Sequence, residues 1–119
     1  MITLMDIQNW LKTMPDERTA CQNMADMQNN ILYTYSRDAL DYRGHTASNK
    51  LIYRRTESGI EHLSEITEEL AAVLAILEDR DDLPLRISAG VLRKELLEAR
   101  KEARKKQMEL LQQEAAAAL

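Results

Sequence analysis

The chain has 119 residues and a formal charge of −4, with 30% charged and only 4% aromatic residues. That length suits one domain or a small domain with an arm, and the acidic balance argues against a dedicated nucleic-acid coat protein. No Phe, 3 Gly and 2 Pro argue against a sandwich or barrel, and a lone Cys21 excludes an internal disulfide framework or a cysteine-based metal site.

The N-terminal stretch "MITLMDIQNW" carries Asp6 and no positive charge ahead of its apolar residues. It therefore does not read as a signal peptide. No apolar run approaches the ~18 residues of a membrane span, and a soluble, cytoplasmic protein is the expectation. Thr3, with Asp6 three residues later, predicts the cap of a first helix over 3–13. Leu4, Ile7, Leu11 and Met14 share one of its faces, with Trp10 beside them. Thr13, Pro15 and the acids Asp16 and Glu17 then suggest a second start. Ala20, Met24, Met27, Ile31, Tyr35, Ala39 and Tyr42 recur at helical spacing, so a long helix is expected from Pro15 to Arg43, stopped by Gly44 as a left-handed residue.

Thr46 or Ser48 opens a third segment containing Leu51, Ile52 and Tyr53. Ser58 with Glu61 reads as a capping box, beginning a helix over about 58–79. Its seam would be Ile60, Leu63, Ile66 or Thr67, Leu70, Val73 or Leu74, and Leu77, a coiled-coil-like stripe. "EDRDDLPLR" at 78–86 breaks the pattern around Pro84. A last helix follows from about Leu85, with Ala89, Leu92, Leu96, Ala99 and Ala103 on one side. The seam weakens between Lys101 and Gln107, and apolar residues return at Met108, Leu110 and Leu111. The domain is taken as 1–115, and the terminal alanines of 116–119 as a cloning scar or a frayed helix end.

The expected fold is all-α: four to five helices with an antiparallel hairpin formed by about 58–79 and 85–112. Charge supports that pairing. Residues 57–82 hold Glu57, Glu61, Glu65, Glu68, Glu69, Glu78, Asp79, Asp81 and Asp82 against Arg80, whereas 93–106 hold Arg93, Lys94, Arg100, Lys101, Arg104, Lys105 and Lys106 against three acids. Apolar burial would supply the energy and charge the register. Two long helices in so short a chain also predict a homo-oligomer, most simply a dimer. Ile60, Leu63, Leu70, Leu74, Leu77, Leu92 and Leu96 are the expected interface.

Neither His45 nor His62 has an acid three residues before it, as a di-iron bundle requires. There is no nucleophile motif and no Gly-rich phosphate loop. The expectation is a protein without catalysis, cofactor or metal: a helical interaction, adaptor or assembly protein, of the kind common among viral and mobile-element accessory proteins. Its partner would be a protein, itself or another. The alternative is a small DNA-binding protein using the basic and aromatic segment 33–55. There "TASNKLIYRR" would act as the reading helix of a helix-turn-helix, with Arg43, Lys50, Arg54 and Arg55 on the nucleic acid. Membrane-surface binding by 92–111 is disfavoured, because its middle is alanine-rich and lacks aromatic anchors.

Overall fold

Thr3 opens the first helix, α1 (Leu4–Lys12), with a complete capping box: its hydroxyl accepts from the Asp6 amide at 3.1 Å and its own amide donates to the Asp6 carboxylate at 2.9 Å. The computed structural model describes residues 1–118. Ile7 and Leu11 of α1 are fully buried. Beyond α1 the all-α expectation fails, and the architecture is mixed α/β, with four helices and two antiparallel sheets among the described residues.

The predicted helix 15–43 is divided. Residues 19–21 form strand β1 (Thr19–Cys21), and only Ile31–Ala39 is helical, as α2. The reason lies in the Asn/Asp-rich stretch between them. Asn23 accepts from the Ala25 amide at 3.1 Å and Asp26 from the Gln28 amide at 2.9 Å. These short side chains satisfy local amides in turns and so compete with a helix. Asn30 then caps α2 by accepting from the Tyr33 amide at 2.9 Å. The left-handed residue that follows α2 is Asp41 (φ 53°); Gly44 (φ 62°) comes later, in the connecting loop.

The segment 45–65 is a three-stranded sheet, β2 (His45–Ala47), β3 (Leu51–Thr56) and β4 (Gly59–Glu65), paired in that order. The predicted helix start at Ser58 is a hairpin turn, in which the Thr56 hydroxyl donates to the Gly59 carbonyl at 3.0 Å. Gly59 takes φ 141°, a conformation that suits glycine and strains other residues. Ile52 pairs with Ser64 but Tyr53 pairs with His62, so Leu63 is the extra residue of a bulge. Ile60, Leu63 and Ile66 are thus spaced as on a helix but share no face: Ile60 lies opposite Arg55 and is exposed, whereas Ile66, beyond the bulge, is buried. The hydroxyl of Thr67, not Ser58, caps α3 (Glu68–Glu78), accepting from the Leu70 amide at 3.3 Å.

After the turn around Pro84, β5 (Ile87–Ser88) pairs with β1, and α4 runs from Ala89 to Ala117. The alanines at 115–117 thus continue a helix, and Leu119 lies outside the described residues. Gly90 sits where a Cβ would come within 3.1 Å of Asp16 Cβ, and its amide donates to the Asp16 carbonyl at 3.0 Å. Arg93 closes the other side of this junction. Its Nε donates to the Leu11 carbonyl at 3.0 Å, and its terminal nitrogens reach the Met14 carbonyl and the Asp16 carboxylate. It thereby caps the carbonyl end of α1 with a cation, as the helix dipole favours.

One core joins these pieces: Ile7 and Leu11 of α1, Ile31 and Leu32 of α2, Ile52 of β3, Leu70–Leu77 of α3 and Leu92–Ala99 of α4. The coiled-coil expectation is also overturned. Arg80, just beyond α3, pairs with Glu95, and Glu69 at its start pairs with Arg100 at 3.5 Å. These ion pairs tie both ends of α3 to α4, but the predicted seam is cut by the sheet: Ile60 and Leu63 lie in strand β4, and only Leu70, Val73, Leu74 and Leu77 are helical and buried.

Candidate interaction surfaces

Two surfaces stand out from this fold. The first is the distal half of α4. Leu92, Leu96 and Ala99 are buried by α1, α3 and the sheet side of the core, and Ala103 is half-buried. From Arg104 through Ala118 every residue is exposed, including Met108 (56%), Leu110 (59%) and Leu111 (52%). The helix persists because Glu, Arg, Lys, Gln, Leu and Ala are strong helix formers. A free stretch of this length is nonetheless only marginally stable in water. Lys106 pairs with Glu102 at 3.4 Å and Lys101 with Glu98 at 3.6 Å, each adding a few tenths of a kcal/mol at about one helical turn's spacing.

Where this arm leaves the body, α3 and α4 enclose a groove of about 490 Å³. Ala72 and Ile76 of α3 and Ala103 and Leu110 of α4 supply its apolar lining. Glu69 and Arg100 flank it; Arg100 Nε is buried and makes no hydrogen bond among the described residues, facing Glu69 only as a 3.5 Å ion pair.

The second surface is a hollow between α2, the loop before it and the outer face of the sheet, lined by Asp26, Met27, Tyr33, His45, Tyr53 and Arg55. His45 is 4% exposed. Its ring stacks on Tyr33 (centroids 4.5 Å apart, planes 22°) and meets the edge of Tyr42 at 6.1 Å, while Nε2 lies 3.2 Å from the Tyr33 carbonyl. Burial pulls its pKa below the ordinary imidazole value. The Tyr53 hydroxyl donates to Met27 Sδ at 3.4 Å.

The predicted site residues fall as follows. Leu70, Leu74, Leu77, Leu92 and Leu96 are all at most 2% exposed, inside the chain's own core. Leu63 is half-buried at the bulge, and Ile60 is exposed on β4. The proposed reading helix is instead the β2–β3 turn and strand β3, which removes the helix-turn-helix geometry. Arg43 lies 3.6 Å from Asp41 in the loop after α2, and Lys50 is exposed in the β2–β3 turn. Arg54 pairs across the hairpin with Glu61, and Arg55, its neighbour on the opposite face of the strand, borders the hollow. The structure therefore does not gather the four cations on one face. Leu97, Met108, Leu110 and Leu111, which sequence reasoning left out of the expected interface, are exposed; for the last three the signal was the return of apolar residues after the gap at 101–107.

Among the described residues no helix is long and apolar enough to cross a membrane, and no three His, Cys, Asp or Glu side chains converge as metal ligands would. No protein-family model, curated protein or solved structure matches this chain.

Proposed function

We propose that this chain is a non-catalytic assembly protein whose working surface is the distal half of α4, held out from the body by the α/β core. One observation carries the reading. Large apolar side chains at 108, 110 and 111 are exposed on the half of α4 that extends beyond the buried core. Burying such side chains against a partner yields about 25 cal/mol per Å² of apolar area, and an amphipathic helix presenting them is a standard protein-recognition element. The α3–α4 groove extends the same surface towards the core. Its flanks are acidic on α3 and basic on α4, and such charge selects among partners and speeds encounter.

Backbone hydrogen exchange tests this reading, because an unpartnered helix frays and exchanges rapidly. The amides of 104–117 are expected to be protected when the partner is present, either in the purified protein or in extract of its native host. Rapid exchange under both conditions refutes the arm as a working surface.

A further inference from the structure

The arm carries its charge in two blocks. Residues 100–106 contain Arg100, Lys101, Arg104, Lys105 and Lys106 against Glu102, whereas 107–118 contain Glu109 and Glu114 and no cation. A parallel copy of this helix would set basic block on basic block. An antiparallel copy sets each block against its opposite, so the arm is complementary to itself in that orientation alone.

Size complementarity selects the same arrangement. When the twofold axis passes between Lys106 and Gln107, Leu110 of one copy lies over Ala103 of the second copy, large against small. Glu109 then shares a flank with Lys106 of the second copy, and Glu114 comes near its Arg100. Leu110 and Ala103 are also the α4 residues that line the apolar groove beside Ala72 and Ile76. One register therefore matches charges, interleaves side chains and fills the groove from both sides, as a twofold interface requires.

We infer that two copies of this chain pair antiparallel through residues 100–117, each arm seated in the groove beside the other's α3. The inference rests on the arm being the working surface, and it names the partner as a second copy.

Sedimentation equilibrium of the full chain over a wide concentration range is the first test. The expected result is a species of twice the 13.7 kDa chain mass. Leu110→Glu, at an exposed position whose change leaves the far-ultraviolet circular dichroism unaltered, should weaken association by roughly tenfold or more. Lys106→Glu and Glu109→Arg should each weaken it, and the two together in one chain should restore it; a merely structural role would give no such rescue. Orientation is read by oxidation with buried Cys21 left in place. Gln107→Cys, beside the axis, should form an interchain disulfide, and Ala117→Cys, at tips pointing apart, should not. A monomer at every concentration, a dimer indifferent to Leu110→Glu, or ready cross-linking through Ala117→Cys would each overturn the inference. A monomeric chain whose arm becomes protected only in host extract removes the second copy as partner while leaving the arm as the docking element.

Discussion

His45 shows how a single residue reports on its surroundings. Burial is the main cause that lowers its pKa, and the nearby positive charge of Arg37 acts in the same direction. The carbonyls of Tyr33 and Tyr42 oppose the shift without cancelling it. The folded value therefore lies below the unfolded one, near 6.5. On acidification the unfolded chain takes up its proton first, so this group's stabilisation is fully present above about pH 6.5 and is lost as the pH falls below it. Urea unfolding at stepped pH values from neutral to mildly acidic should show stability declining in that window. His45→Gln should flatten the decline while lowering stability at neutral pH, where the stacking on Tyr33 is lost. An unchanged slope in the variant would assign the titration elsewhere. Cys21, by contrast, is fully buried and its thiol is pushed up to about 11, so it behaves as a small apolar side chain in β1.

Asn30 joins two elements. Its carbonyl oxygen caps α2, and its amide nitrogen donates to the buried Ala47 carbonyl of β2 at 2.6 Å. The Ala47 amide in turn donates to the Met27 carbonyl at 2.8 Å, so the loop before α2 lies along the edge of the sheet. Asn30→Ala removes the cap, worth about 0.5–2 kcal/mol, and strands a buried carbonyl, worth about 1–3 kcal/mol. A loss of roughly 2–4 kcal/mol is expected in the unfolding free energy measured by denaturant titration, whereas a change under about 0.5 kcal/mol would mean water replaces both bonds without cost. The same chemistry explains why the long helix predicted from Pro15 does not form. The apolar spacing was present, but Asn23, Asp26 and Asn30 offered the backbone better local partners than the next helical turn.

The whole molecule is elongated, with a radius of gyration of 15.6 Å and extents of 52 × 39 × 25 Å, whereas a compact chain of this length would have a radius of about 13–14 Å. The excess comes from two projections, the β3–β4 hairpin and the distal half of α4. Every residue of 104–118 is exposed and most of β4 is too, although Ile52 of β3 is buried in the core; β4 leaves its outer edge unpaired among the described residues apart from the contact with Ile2 at its end. Because residues 104–118 bury nothing in the core, truncation after Ala103 should change the stability of the dilute chain by no more than about 0.5 kcal/mol. The same truncation should lower the melting temperature at high concentration, where association stabilises the folded state by mass action. Scanning calorimetry at two concentrations checks both halves of this expectation; a large loss at low concentration would show the arm to be part of the folding unit.

Local patterns determined a good part of this protein. The capping box of α1, the break at Pro84, the long uninterrupted α4 and the inward faces at Leu70–Leu77 and Leu92–Ala99 all arise within one helix or one turn, where residue spacing and hydrogen-bonding chemistry suffice. The return of Met108, Leu110 and Leu111 after a polar gap was visible too, although only the packing of α3 against the first half of α4 revealed that the second half is bare. The strands needed the tertiary structure. Cys21 is extended because Ile87 lies opposite it, and Ile60, Leu63 and Ile66 keep a helical spacing in a segment that pairs with β3 as a strand. A strand is stabilised by hydrogen bonds to residues distant along the chain, and no periodicity within its own few residues carries the identity of that partner.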